Sequence, residues 1–387
     1  MTDAPVYLDY AATTPIDSRV LEAMQSCSGY DAHFGNAGSA HMIGRRAAAA
    51  VDQGRAQLAG LLNCDPSRLI FTSGATESDN LAIRGVALAR ADRGRHFITM
   101  PVEHKAVTDP FKVLEKKGCE VTWLAPRRDG LLDIDELRDA FRDDTQLVSI
   151  MHVNNETGVV QDIEAIGSLC RERGVLFHTD AAQSAGKLDI DLASLPVDLL
   201  SVTAHKFYGP QGIGALYIAD RPGCAVLPLT FGGGQERRLR PGTLPVHLIA
   251  GFGATAALAA NEREQNFAHV TALRDRLWEG ISDLDGILRN GTPDATYPGI
   301  LNVSAGNVEG ESLMLAMEPV CVASGSACNA TNAEPSYVLR ALGLSDMQAQ
   351  AAVRFSVGKF TTRTDVDRAI ERFRQAVTML RSMAPAA

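Results

Sequence analysis

One lysine stands in the stretch Ser201-Val202-Thr203-Ala204-His205-Lys206-Phe207-Tyr208-Gly209-Pro210, directly after the apolar run Leu199 to Val202 and just before a Gly-Pro turn. Its amine is thereby presented at a strand end rather than on a solvated helix face. An ammonium is costly to bury without a partner, and a desolvated lysine becomes a nucleophilic amine of the kind that condenses with aldehydes. A solvent-reaching or salt-bridged lysine fits this window equally well. The balance changes with Leu176-Phe177-His178-Thr179-Asp180-Ala181-Ala182-Gln183, where another apolar strand ends in a carboxylate followed by small residues. A carboxylate at the end of a neighbouring strand needs a cationic partner.

Lysine as a Schiff base and aspartate paired to a protonated pyridine nitrogen are the two protein groups that pyridoxal 5'-phosphate requires. A phosphate site is also in view. The strand Arg68-Leu69-Ile70-Phe71-Thr72 runs into Ser73-Gly74-Ala75-Thr76-Glu77-Ser78, with a helix expected from about Thr76. Free backbone N–H groups at such a helix start favour an anion, although a helix merely capped by Thr76 or Ser73 has the same composition. Phe231 to Pro245 is glycine-rich and basic, suited to phosphate, to an intersubunit contact or to a linker. Finally, Val322-Ala323-Ser324-Gly325-Ser326-Ala327-Cys328-Asn329-Ala330-Thr331-Asn332 sets a cysteine in a loop of small polar residues. An exposed thiol with no place in a core is a liability unless its reactivity is used. The other cysteines (27, 64, 119, 170, 224 and 321) lie in apolar or helical contexts and are expected to be small core residues. The spacing of the cysteines gives neither a disulfide framework nor a metal site.

The elements that must position these groups follow from the pattern. With 387 residues, 45% of them hydrophobic and 21% charged, the chain is long enough for a large core and two domains. A net charge of −9 argues against a nucleic-acid backbone or an anionic membrane surface as partner. The N-terminus has no basic region followed by an apolar one, and the longest apolar run, 248–260, is too short to span a bilayer, so a cytoplasmic protein is expected. Strands are predicted at 96–100, 119–125, 146–153, 175–181, 199–205 and 213–219, alternating up to residue 181 with helices at 106–118, 133–142 and 162–173. That alternation indicates an α/β fold with a largely parallel sheet, whose ligands lie in loops beyond the carboxyl ends of the strands. Thr76, His104, Asn155, Asp180, Gln183, Thr203, His205 and Lys206 all follow or end strands. A helix at 246–263 and another at 264–279 lead into a smaller α+β domain with strands near 300–304, 320–324 and 353–357 and helices at 335–342 and 364–381. The large domain is thus expected over 16–263, and the small one over 1–15 and 264–387.

The His-Thr-Asp-Ala-Ala-Gln and Ala-His-Lys-Phe-Tyr-Gly-Pro stretches resemble the class V aminotransferase group, within fold type I of the pyridoxal-phosphate enzymes. Tyr-Leu-Asp-Tyr-Ala-Ala-Thr-Thr-Pro at 7–15, Phe-Thr-Ser-Gly-Ala-Thr-Glu-Ser-Asp-Asn at 71–80, Glu-His-Lys-Ala-Val at 103–107, Val-Ser-Ile-Met-His-Val-Asn-Asn-Glu-Thr-Gly at 148–158, Ser-Gly-Ser-Ala-Cys at 324–328 and Val-Arg-Phe-Ser-Val-Gly at 353–358 narrow the resemblance to cysteine desulfurases of the IscS/NifS type, over nearly the whole chain. The resemblance implies that Lys206 holds the cofactor covalently, that Asp180 keeps its ring nitrogen protonated, and that His104 stacks on the ring and assists proton transfer. It implies that Gln183 bonds the ring hydroxyl, and that Gly74 or Ala75, Thr76, Thr203 and His205 hold the phosphate, with Thr243 reaching across from the other subunit of a homodimer. Asn155 and Arg354 would fix the carboxylate of L-cysteine, with Asn36 close by. Lys206 would then remove the Cα proton, and Cys328 would take the substrate sulfur as a persulfide and pass it to a protein acceptor.

Two departures leave the chemistry in place: Ala37 follows Asn36 where proline is usual, and Gln235 stands where a histidine is common. The C-terminal stretch Arg381 to Ala387 stops short of the extension with which many such enzymes dock a scaffold, and the Cys328 loop is rich in Asn, Thr and Ala. The acceptor therefore stays open among iron–sulfur cluster assembly, tRNA thiolation and DNA sulfur modification. A selenocysteine lyase or an aminotransferase on the same scaffold is the alternative.

Overall fold

Seven strands form the principal sheet, in the order Leu69–Thr72, Gly214–Ile218, Leu199–Thr203, Leu176–Asp180, Thr145–Ser149, His96–Thr99, Glu120–Trp123. The computed structural model describes residues 4–324 and 335–383, so Cys328 and the segment around it lie outside the described residues. From Leu199–Thr203 to Glu120–Trp123 every pairing is parallel, as the alternation of strand and helix predicts. All strands of this sheet except the edge strand Glu120–Trp123 are buried along their whole length, as continuous apolar runs covered by helices on both faces should be.

One strand departs from the parallel expectation. Gly214–Ile218 is antiparallel to both neighbours, Leu199–Thr203 and Leu69–Thr72. No helix long enough for a parallel crossover intervenes after Thr203: the chain makes one 3-10 turn, Ala204–Lys206, and reverses through Gly209-Pro210. That reversal stations Lys206 beyond the carboxyl end of the strand before it. Gly214 is required where the returning strand crosses the loop at Gly74, since a Cβ there would lie 2.6 Å from the Gly74 Cα and from the Val202 carbonyl oxygen.

A second sheet, in the order Ala323–Ser324, Ala352–Ser356, Ile300–Ala305, Ile287–Arg289, is antiparallel throughout and packs against the helix Arg363–Met383. Val6–Tyr7 pairs in parallel with Val320–Cys321, so the N-terminal segment belongs to this smaller unit. The two helices expected at 246–263 and 264–279 are one helix, Val246–Ile281. Its polar stretch Asn261-Glu262-Arg263-Glu264-Gln265-Asn266 reads as a break in the apolar pattern, but it holds neither Gly nor Pro. It is a solvated middle between two buried ends. Val246, Ile249, Phe252, Ala256 and Ala259 pack into the core around the large sheet, whereas Val270, Leu273, Leu277 and Ile281 pack into the core of the small one.

Candidate active site

A cleft of about 480 Å³ opens at the carboxyl ends of the parallel strands, walled by residues of both units. Gly74, Ala75, Thr76, His104, Asn155, Asp180, Gln183, Thr203, His205, Lys206 and Arg354 all line it. Asn36 and Thr243 do not: both are exposed in the single chain, the former in a turn where its Oδ1 accepts from the Gly38 N–H at 2.9 Å.

Lys206 ends the 3-10 turn, and its Nζ donates to the carbonyls of Ala11 and Ala12 at 2.7 Å each. The loop after the first strand thus holds the amine at the cleft wall. Asp180 ends its strand, is 5% exposed, and accepts from the Ala182 N–H at 2.8 Å. Burial, reinforced by the nearby Asp79 carboxylate, pushes its pKa up to about 7. Such a carboxylate gains by meeting a cation in the cleft. His104 precedes the helix Lys105–Glu115, and its Nδ1 accepts from the Ala106 N–H at 3.1 Å, which leaves the proton on Nε2. Burial lowers its pKa, so the ring stays neutral.

The helix Ala75–Ala89 begins at Gly74, whose φ of 156° is open to glycine, and no side chain caps it. Of the two alternatives for this stretch, the uncapped start is therefore the one present, with first-turn N–H groups available to an anion. Thr203 and His205 stand beside this loop. Burial holds the His205 pKa down to about 4, with the Lys206 charge next in effect. His205 Nδ1 is 3.0 Å from Thr13 Oγ1. Across the cleft, Arg354 donates through Nη1 to the Asn155 carbonyl at 2.8 Å and through Nη2 to Asp9 Oδ1 at 2.7 Å, while its buried Nε and Asn155 Oδ1 make no hydrogen bond.

Several groups at the site carry no sequence signal strong enough to single them out. Asp79 and Glu103 are fully buried near Asp180, and burial raises both pKa values, that of Asp79 to about 7. In the sequence Asp79 is one more carboxylate near a helix start. Its position three and four residues before Ala82 and Ile83, on the buried helix face, is the clue that marks it as interior. The cysteine expectation holds for Cys27 and Cys170, which are buried, and burial raises the thiol pKa of Cys64 and Cys224 to about 12. Cys321 corrects it: the two-residue strand Val320–Cys321 turns this side chain outward, and it is exposed.

The residues present fit pyridoxal 5'-phosphate. An uncapped helix start suits the phosphate, a buried carboxylate of raised pKa suits a protonated ring nitrogen, and a strand-end lysine suits the aldehyde. Fold and site together define an α/β enzyme of fold type I, the class that uses this cofactor. A profile of the family described as class V aminotransferase matches residues 6–369. The chain belongs to that family.

Among its relatives, the cysteine desulfurase IscS of Colwellia psychrerythraea (strain 34H / ATCC BAA-681) is 53% identical over 382 residues, covering 98% of this chain and 95% of the relative. A solved NifS-like protein superposes with a TM-score of 0.90 at 36% identity, over 97% of this chain and 100% of that one. A structure described as SspA in complex with cysteine gives a TM-score of 0.82 at 39% identity, over 92% and 99% of the two chains.

Proposed function

We propose that the protein is a cysteine desulfurase that moves the sulfur of L-cysteine onto Cys328 and releases L-alanine. The observation that carries this reading is the convergence of the Lys206 amine, the buried Asp180 carboxylate and the Arg354 guanidinium on one cleft, in a chain that is 53% identical to a cysteine desulfurase over nearly its full length.

Lys206 would hold the cofactor covalently, Asp180 would face its ring nitrogen, His104 would cover the ring, and Gln183 would meet the ring hydroxyl. The backbone at Gly74 and Ala75, with Thr76, Thr203 and His205, would bind the phosphate. When bound, pyridoxal 5'-phosphate supplies an electron sink for the substrate's Cα. Arg354 and Asn155 bind and orient the substrate carboxylate, the guanidinium by a two-pronged contact; Asn36, outside the cleft of the single chain, would have to approach it to lie near the same substrate. Lys206 Nζ takes up the Cα proton, and the neutral His104 carries protons at Nε2. Asp180 would ionise when it meets a cationic ring nitrogen and would hold the proton there. The Cys328 thiolate forms an S–S bond with the substrate sulfur. The C–S bond breaks as the S–S bond forms, its electron pair staying with the carbon skeleton, which takes up at Cβ the proton lost by the Cys328 thiol, recovers at Cα the proton held by Lys206, and leaves as alanine.

The working unit in this reading is a cytoplasmic homodimer in which the exposed Thr243 reaches the phosphate of the partner subunit's site, and the persulfide passes to a protein acceptor. The chain divides functionally at about residue 263, with 16–263 carrying the cofactor and 1–15 with 264–387 carrying the sulfur-accepting loop. Among the described residues no helix is long and apolar enough to cross a membrane. Mass spectrometry of the peptide containing Cys328, after the holoprotein meets L-cysteine, tests the proposal. A gain of one sulfur supports it, and an unchanged mass overturns it.

A further inference from the structure

Lys187 occupies an expensive position. Residues 181–187 form a tight turn in which the Lys187 N–H donates to the Ser184 carbonyl at 3.0 Å. Gly186 within it has φ +73°, and a Cβ there would lie 2.5 Å from the Phe207 ring, so the backbone leading to Lys187 has little freedom. Together with Lys206, Tyr10, Tyr208, Tyr297 and Val357, Lys187 lines a small cavity. Its Nζ lies 5.4 Å from the centroid of the Tyr297 ring. Burial, and then the charges of Lys206 and Arg354, bring its pKa down to about 7. The amine is held by what it contacts.

It contacts Gln183. Lys187 Nζ donates to Gln183 Oε1 at 3.0 Å, and Gln183 Nε2 donates to the Ala11 carbonyl at 2.8 Å. The Ala11 contact has one chemical sense, since a carbonyl oxygen can only accept, and the Lys187 amine, when protonated, can only donate. The amide of Gln183, which is 4% exposed, is therefore locked in one of its two orientations, with the NH₂ end beside the cleft. That NH₂ has two hydrogens, one spent on Ala11 and the second available to a group in the cleft. The same Ala11 carbonyl accepts from Lys206 Nζ at 2.7 Å, so the chain runs from Lys187 through Gln183 and Ala11 to the reactive amine.

We propose, on the basis of the cofactor assignment above, that Lys187 is a positioning residue: its amine fixes the Gln183 side chain so that a donor, and not the amide oxygen, is presented to the oxygen substituent of the bound cofactor's ring. Without Lys187 the Gln183 oxygen loses this partner, and the Ala11 carbonyl alone is left to oppose turning the amide over, which would bring an acceptor up to an acceptor.

The test is a double-mutant cycle on the holoprotein using Lys187→Met, Gln183→Ala and the two combined, with Lys187→Arg as the conservative variant. The readouts are the dissociation constant for pyridoxal 5'-phosphate, the visible absorption of the bound cofactor, and borohydride labelling at Lys206. Lys187→Met is expected to keep the Lys206 label, weaken cofactor binding about tenfold, the loss of one hydrogen bond, and shift the visible band as Gln183→Ala does. The double variant should be no worse than Gln183→Ala, and Lys187→Arg should restore the parent spectrum. An unshifted spectrum in Lys187→Met, or effects of the two single variants that simply add, overturns the positioning role while leaving the cofactor assignment standing. Absence of the Lys206 label in the parent protein overturns both. Should Lys187→Met fail to accumulate folded, Lys187→Gln carries the same cycle, because an amide can donate or accept and so releases the lock.

Discussion

Arg354 and Asp9, which are 345 residues apart in the chain, are joined by a 2.7 Å contact between Nη2 and Oδ1. Asp9 follows the strand Val6–Tyr7 and bridges to Ser356, so the N-terminal segment reaches into the small sheet to hold one edge of a guanidinium that faces the cleft. The Asn155 carbonyl holds another edge. Arg354→Lys keeps the charge and loses the planar fork. The Michaelis constant for L-cysteine is expected to rise about tenfold to a hundredfold, the loss of one charge-assisted hydrogen bond, with the visible spectrum of the cofactor unchanged. Asp9→Asn should move the same constant in the same direction but less, because it loosens the guanidinium without removing it. Steady-state kinetics on the two variants, showing no change in either, would dismiss the carboxylate-binding role.

Asp79, Asp180 and Glu103 crowd buried carboxyl groups beneath the cleft, and their pKa values are raised, those of Asp79 and Asp180 to about 7. A carboxyl group that is a weaker acid folded than unfolded contributes stability below its unfolded pKa near 4, and that stability is lost as pH rises through about 7. The cofactor-free protein should therefore lose thermal stability between pH 5 and pH 8. Asp79→Asn, which cannot ionise, should raise the melting temperature at pH 8 by about 2–4 °C relative to the parent, corresponding to about 1–2 kcal/mol, and should give a smaller gain at pH 5. Calorimetry or thermal denaturation at the two pH values decides it. Equal shifts at both would mean that Asp79 is not forced to ionise in the fold.

The strand-end placement of Asp180 and Lys206 was legible because a buried parallel strand is a continuous apolar run, and its first polar residue marks where the sheet stops. The antiparallel strand Gly214–Ile218 is a buried apolar run like the parallel strands of the sheet, and only the short connection through Gly209-Pro210 betrays its direction. The helix Val246–Ile281 was misread as two because apolar periodicity reports burial, and its middle is solvated between two cores. Asp79 and Glu103 look like surface residues in sequence. What buries them is packing between segments distant in the chain, which local pattern does not carry. The exposure of Cys321 has the opposite cause: an apolar neighbourhood gives no sign of which face of a two-residue strand meets solvent.

Gly214 sets how closely the returning strand approaches the loop at Gly74, where a Cβ would sit 2.6 Å from backbone atoms of Gly74 and Val202. Neither contact is the far end of a flexible side chain. Gly214→Ala must therefore push the Gly74 loop away from Thr203, at a cost of about 1–3 kcal/mol, and displace the uncapped helix start with it. The expected result is a folded but less stable protein that binds pyridoxal 5'-phosphate more weakly, while pyridoxal without the phosphate is bound as well as by the parent. Equal weakening toward both ligands would show that the strain is not confined to the anion site.

Cys328 is the one residue whose removal should separate cofactor chemistry from sulfur transfer. Cys328→Ser leaves the cleft residues Lys206, Asp180 and Arg354 untouched, and a hydroxyl at this position is a much weaker nucleophile toward sulfur than a thiolate. The variant is expected to bind the cofactor as the parent does and to show the same spectral change on mixing with L-cysteine. Its release of alanine and sulfide should fall by at least about a hundredfold, since the step that breaks the C–S bond has lost its acceptor. Alanine formation at the parent rate would mean that the substrate sulfur leaves by another route and that Cys328 is not the group that receives it.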